Sequence, residues 1–141
     1  MDPVKALTHR DIHKAGGIII VDRRLLVERS KGKTLFNTPG GKLEPDEPTI
    51  HALIRELREE FQIVVFEEDI TYFDTYSASV DGEPNRKIKM EAFLINKWAG
   101  ELTISEEVEE MAWVSSKETK RLSSILSNFI VPKLHSLDLI D

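Results

Sequence analysis

The chain contains no cysteine, which excludes disulfides, thiolate metal centres and a cysteine nucleophile. Long apolar runs are missing as well. The longest strongly apolar stretch, GIIIV (Gly17 to Val21), falls far short of the roughly 20 residues that a membrane helix requires. An excess of positive charge is also absent. Lys and Arg number 19 against 25 Asp and Glu, for a net charge of −6, so attraction to a nucleic-acid polymer or an anionic membrane surface is not expected. The opening MDPVKALTHRDIHK is studded with charges and lacks the apolar centre of a secretion signal. These shortages lead to the expectation of a soluble, unprocessed protein of the cytoplasm. No repeat, low-complexity tract or Ser/Gly linker is found, and 141 residues suit a single domain over 1–141.

Residues 15–21 (AGGIIIV) and 24–29 (RLLVER) read as neighbouring strands, and Lys31 to Gly41 as a loop punctuated by Pro39, Gly40 and Gly41. A helix follows, with Pro48 in its first turn and Asp46 or Glu47 as cap. Ile50, Leu53, Ile54, Leu57 and Phe61 recur at helical spacing and form a core-facing stripe. Further strands are expected at Ile63–Phe66, Thr71–Val80, Lys87–Trp98 and Glu110–Val114, with a hairpin turn over Asp81–Asn85. The tail from Ser116 reads as helix interrupted near Pro132. The order implies an α/β sandwich with a mixed sheet between helices.

The same helix gathers Glu56, Glu59 and Glu60 on one face, roughly 120° from the apolar stripe. Like charges at this spacing repel by a few tenths of a kcal/mol per pair, ~0.2–0.5 each. A hard divalent cation, which favours oxygen ligands, is the natural compensation.

The spacing also carries a resemblance. From Gly41 the chain reads G-x5-E-x7-R-E-U-x-E-E-x-x-U, with U aliphatic: Gly41, Glu47, Arg55, Glu56, Leu57, Glu59, Glu60 and Ile63. A chance match is on the order of 10⁻⁵ from background composition. The chain therefore resembles the Nudix hydrolase superfamily, and its small MutT-like enzymes in particular, over about residues 15 to 115. Gln62 departs from the pattern, standing where the signature has a second glycine. That glycine ends the helix, so the departure bears on the cap and not on the carboxylates.

The resemblance implies an α/β/α sandwich with a mixed central sheet, and hydrolysis of a phosphoanhydride in a nucleotide with magnesium or manganese. It implies that Glu56, Glu59 and Glu60 ligate the metal, joined by the carbonyl of Gly40. Arg55 would orient the glutamates, and Glu47 would tie the loop to the helix. Glu107, in the acidic run Ser105 to Val114, resembles a distant metal-binding glutamate of the same enzymes. The proton-accepting carboxylate is one of these glutamates. Arg29 stands where similar proteins place a phosphate-contacting arginine, with Lys31, Lys33 and Lys42 as lesser candidates. Asn128, near the final helix, is a candidate for reading a purine edge, and Asn37, beside the Gly-Gly turn, a second pocket residue. Trp98 and Trp113 are assigned to packing, and the four histidines to no role.

The expected reaction is MutT-like, attack on the β-phosphorus of a nucleoside triphosphate that releases a nucleoside monophosphate and pyrophosphate. The alternatives are a hydrolase of ADP-ribose-type diphosphates, whose accessory motifs are absent, and a Nudix-fold module that binds a nucleotide without cleaving it. The sequence leaves the oligomeric state open.

Overall fold

Alternation along the strands decides which side of the sheets each residue serves. In the computed structural model, which describes residues 11–141, Leu25 and Val27 of strand β3 (Arg24–Ser30) join one apolar cluster while Leu26 joins another. Strand β1 (Ile12–Ile18) divides in the same way, with Ile18 in the first cluster and Ala15 in the second. The first cluster is closed by Leu126, Ile130 and Leu134 of the C-terminal helical segment. The second is closed by Ala52, Leu53, Leu57 and Phe61 of helix α1 (Thr49–Phe61). Helices on both sides of the strands make the expected α/β/α sandwich. His9 and most of the charged N-terminal stretch lie outside the described residues.

The strands form two sheets. One has the order β4-β1-β6-β5, with β4 at Gly40–Lys42, β5 at Ile70–Val80 and β6 at Glu83–Ile95. It is mixed: β1 runs parallel to β6, while β4 and β5 are antiparallel to their neighbours. The other sheet has the order β2-β3-β7, with β2 at Ile20–Val21 and β7 at Val108–Val114.

Five expectations are corrected. Gly40–Lys42, read as loop, is the edge strand β4, paired Gly16 to Gly40 and Lys14 to Lys42; three residues are too few to show an alternation. The sequence Ile63–Phe66, expected as a strand, contributes only a single bridge from Val64 to Ala99, because a short 3₁₀ turn begins at Glu67. The hairpin turn is confined to Asp81 and Gly82, and Pro84 lies within β6. A proline is tolerated there because β1 begins pairing only at Ile88, so that end of β6 is an edge. Finally, α1 carries no side-chain cap at its start. The Glu47 carboxylate accepts from the Glu44 N–H at 2.9 Å instead. Thr49 secures that end by donating its hydroxyl to Glu91 Oε2 at 2.8 Å.

The C-terminal helix is not broken at Pro132. A π-helical turn over Leu126–Ile130 runs directly into α2 (Val131–Ser136), the Val131 N–H reaching back five residues to the Leu126 carbonyl. The wider turn accommodates a residue that has no N–H.

Candidate active site

Helix α1 ends in a left-handed residue, Gln62 at φ 58°, ψ 31°, whose N–H caps the carbonyl of Arg58. The chain beyond is then held against this helix end. Thr103 N–H donates to Phe61 O and Ser105 N–H to Glu60 O, both at 2.9 Å. These bonds fix the loop that leads to Glu107. The negative charge of Glu107 adds to the rise of the Glu56 carboxyl.

Gly40 and Gly41 of β4 face the same helix. Gly40 sits at φ 131°, a conformation that side chains rarely adopt, and a Cβ there would strike the Ala15 carbonyl. At Gly41 a Cβ would stand 2.5 Å from the Glu56 carboxyl carbon. Glycine is therefore what lets β4 and the glutamates touch. The Gly40 N–H donates to Glu60 Oε1 at 2.9 Å.

Arg55 organises the remainder. Its Nε and Nη2 grip both oxygens of Glu47, at 2.8 and 2.9 Å, and Nη2 also reaches the Lys42 carbonyl at 3.2 Å. Its Nη1 donates to Glu56 Oε1 at 2.8 Å and meets Glu59 at 3.5 Å. Fork-to-carboxylate geometry of this kind fixes direction as well as charge. The guanidinium bonds, helped by the Glu44 N–H, hold the Glu47 carboxyl down at about 2.

The electrostatics of the face run the other way. Burial, with the negative charge of Glu28 added to it, pushes the Glu60 carboxyl up to about 9. Burial also raises Glu56; Arg55 opposes this, while Glu59 and Glu107 add to it. Among the described residues no three acidic or imidazole groups already close around one point, in keeping with their mutual repulsion. The donor set nevertheless fits a hard divalent cation, being all oxygen and short of positive charge at the buried Glu60. Glu56, Glu59, Glu60 and Glu107 with the Gly40 backbone are the residues that would hold it.

Beside this face opens a cleft of about 440 Å³, within the ordinary range for small-molecule sites. Gly40, Gly41, Lys42 and Glu60 line one part of it, and Lys33, Asn37 and Ser124 line others. Asn37, a pocket candidate in the sequence, is on the lining. Arg29 is not on the lining: its guanidinium is bound to Glu110, 3.0 Å from Nε and 2.9 Å from Nη2, and to the Lys33 carbonyl at 3.0 Å. The register of β3 against β7 sets Arg29 opposite Glu110, a pairing between distant segments. Asn128 is likewise off the cleft, exposed on the π-helical turn; Ser123, Ser124 and Ile125, one turn earlier, line it instead. Lys31 is outside the lining, whereas Lys33 and Lys42 are on it. Trp98 and Trp113 pack against the α1 core as expected.

Among the lining residues absent from the sequence-derived set are Lys14, Glu28 and Ser123. Burial raises Glu28 to about 7, against the pull of Lys14 and a hydrogen bond from Ser30. Burial lowers Lys14 in turn. A signal for both exists in the sequence, since each interrupts an otherwise apolar strand, yet a charge in a short strand also suits an exposed position.

Comparison with known proteins places these features in context. The NUDIX domain model matches residues 11–130. An 8-oxo-dGTP diphosphatase of Proteus vulgaris is 35% identical over 101 residues, covering 67% of this chain and 84% of the relative. An 8-oxo-dGTP diphosphatase of Buchnera aphidicola is 34% identical over 83 residues. The chain spans 63% of that relative's length and 58% of its own is matched. The MutT NUDIX hydrolase structure from Burkholderia pseudomallei superimposes with a TM-score of 0.73 at 19% identity, covering 89% of this chain and 99% of the other.

Proposed function

Because the chain belongs to the NUDIX domain family, whose hydrolases generally use divalent metal ions, we propose that it is a magnesium-dependent nucleoside triphosphate pyrophosphohydrolase, with manganese as a substitute. The observation that carries this reading is the carboxylate face of α1 set against Gly40 and Gly41 of β4, at the wall of a cleft of nucleotide size. When bound there, the cation offsets polyphosphate charge and eases deprotonation of water. The chain's own residues do the rest. Arg55 fixes the direction of Glu56 and of the Glu47 strap. Lys33 and Lys42, on the cleft lining, face the phosphates. One of the exposed carboxylates, Glu59 or Glu107, accepts the proton from the attacking water. Attack falls on the β-phosphorus; the bond to the α-phosphoryl oxygen breaks, giving nucleoside monophosphate and pyrophosphate.

The names of the relatives support an oxidised or normal purine triphosphate as substrate. No helix among the described residues is long and apolar enough to cross a membrane, which accords with a cytoplasmic site of action on a small-molecule nucleotide. The test is a panel of normal and 8-oxo nucleoside triphosphates, ADP-ribose, diadenosine polyphosphates and coenzyme A, with magnesium. Pyrophosphate from a triphosphate is expected. Cleavage confined to ADP-ribose-type diphosphates would replace this reading, and release from none would favour a nucleotide-binding module.

A further inference from the structure

Arg29 stands where a phosphate contact is expected, yet its guanidinium is engaged away from the cleft, and the groups that engage it lead along the chain to Glu107. Nε and Nη2 meet the same oxygen of Glu110, Oε1, at 3.0 and 2.9 Å, and Nη1 donates to the Lys33 carbonyl at 3.0 Å. The Arg29 side chain is 18% exposed, so solvent and salt screen this contact less than a surface pair.

The ladder between β3 and β7 is irregular at this point. Arg29 pairs with Glu110 but Ser30 pairs with Val108, which leaves Glu109 as an extra residue in β7. A bulge of this kind bends its strand and re-aims the side chains beside it. It is also a place where register can slip, and a slip of one residue turns each side chain to the opposite face. Arg29 secures the bulge at its Glu110 end. At the other end the Lys31 N–H donates to the Glu107 carbonyl at 3.1 Å. Lys31 lies in the turn that the Lys33 N–H closes on the Ser30 carbonyl at 3.0 Å, and Arg29 binds the carbonyl of that same Lys33. One side chain therefore holds both the bulge and the turn that grips Glu107.

The approach to Glu107 from the other direction is fixed as well. The Val108 N–H reaches the Ser105 carbonyl at 3.2 Å, which makes Glu106 and Glu107 the central pair of a tight turn. The Ser105 N–H is bonded in its turn to the Glu60 carbonyl at 2.9 Å. Residues 105–110 are thus strung between the end of α1 and Arg29. We propose that Arg29 is a positioning residue for Glu107: by clasping Glu110 and the Lys33 carbonyl it keeps the β7 bulge in register, and so sets the direction in which the Glu107 carboxylate is offered to the cation. This rests on the metal-dependent reading above and goes beyond it by giving Arg29 a task other than phosphate contact.

Equilibrium binding of Mn2+ to the nucleotide-free chain, followed by electron paramagnetic resonance of the free ion, tests this without turnover. The wild type is compared with Arg29→Ala, Glu110→Ala, Glu107→Gln and the Arg29→Ala/Glu107→Gln double variant, each first shown by circular dichroism to be folded at the assay temperature. Arg29→Ala and Glu110→Ala are both expected to weaken Mn2+ binding by about 10-fold. The shared sign is what discriminates. The first variant removes a positive charge and the second a negative one, so a charge effect alone would move cation affinity in opposite directions. The double variant should lose no more than Glu107→Gln alone, because both changes act through one carboxylate. In steady-state kinetics kcat should fall in each single variant while KM for the nucleotide stays nearly unchanged. Should Arg29→Ala fail to fold, Glu110→Ala carries the test, since that side chain is 44% exposed. Unchanged Mn2+ affinity in Glu110→Ala would overturn the inference, as would additive losses in the double variant. A raised KM with unchanged Mn2+ affinity in Arg29→Ala would also overturn it and return Arg29 to the phosphates. Coupled losses of Mn2+ binding without any triphosphate turnover would uphold the inference and overturn the hydrolase reading. Turnover with Mn2+ binding indifferent to both substitutions would do the reverse, and a wild type that binds no Mn2+ would overturn both.

Discussion

Glu60 is the residue at which the demands of folding and of chemistry meet. It is 5% exposed, accepts one backbone N–H, and its carboxyl titrates at about 9 through burial and the nearby Glu28. Between its ordinary value of 4.5 and that raised one, the folded chain keeps a proton that the unfolded chain has released, so stability falls as pH rises across this window. Glu28, raised to about 7, adds to the fall in the lower part of the window. Melting temperature in EDTA is therefore expected to drop from pH 5 to pH 9, and Glu60→Gln should flatten that slope. A flat profile in the wild-type chain would contradict the burial argument. Glu47 behaves in the opposite sense. Arg55 depresses it to about 2, so its contribution is present above pH 4.5 and is lost as pH falls through 2. The three signature glutamates and Arg55 are legible in the sequence because helical spacing alone sets their common face. Glu28, Lys14 and Ser123 are not, since what brings them together is pairing between segments as distant as residues 28, 37 and 123.

Among the elements, α1 is the one whose start and end are both unusual. Gln62 occupies a left-handed cap, where a side chain with a Cβ is disfavoured by about 1–2 kcal/mol relative to glycine. Its amide offers only a long bond of 3.4 Å to the Thr103 carbonyl in return. Gln62→Gly is thus expected to raise unfolding stability by about 1 kcal/mol and to leave kcat within about twofold, since the carboxylates face elsewhere; denaturant titration checks the first and steady-state kinetics the second. Destabilisation would mean that the Thr103 contact outweighs the backbone strain. Long strands and α1 itself are legible from periodicity. The edge strand β4 is not, because its identity comes from Gly17 N–H donating to Pro39 O at 2.7 Å and from the pairing with β1. The same reason explains Ile63–Phe66, whose apolar pattern promises a strand that finds only one bridge partner.

Across the whole molecule, two apolar clusters on opposite sides of the strands hold α1 and the C-terminal helix apart, and the cleft lies where β1, β3, β4 and the β5–β6 hairpin converge with residues 123–125. The arrangement ties the glutamate face to β4 through Gly40 and Arg55, while the cleft is lined by side chains drawn from many segments. That division is why the reaction class is readable from one motif while the substrate is not. Arg29 and Asn128 illustrate it: each stands near the right place in sequence, and tertiary pairing or helical phase turns it away from the cleft.

The carboxylate face of α1 is the proposed metal-dependent centre for phosphoanhydride cleavage. The decisive experiment measures pyrophosphate release from a nucleoside triphosphate with magnesium, for the wild type and Glu59→Gln side by side, after confirming that both melt at similar temperatures. Glu59 is half exposed, so its substitution spares the core. Nucleoside monophosphate and pyrophosphate in equal amounts are expected from the wild type, with loss of both in EDTA and a fall in kcat of at least about 100-fold in the variant. Undiminished turnover by Glu59→Gln, or turnover indifferent to EDTA, would contradict that assignment.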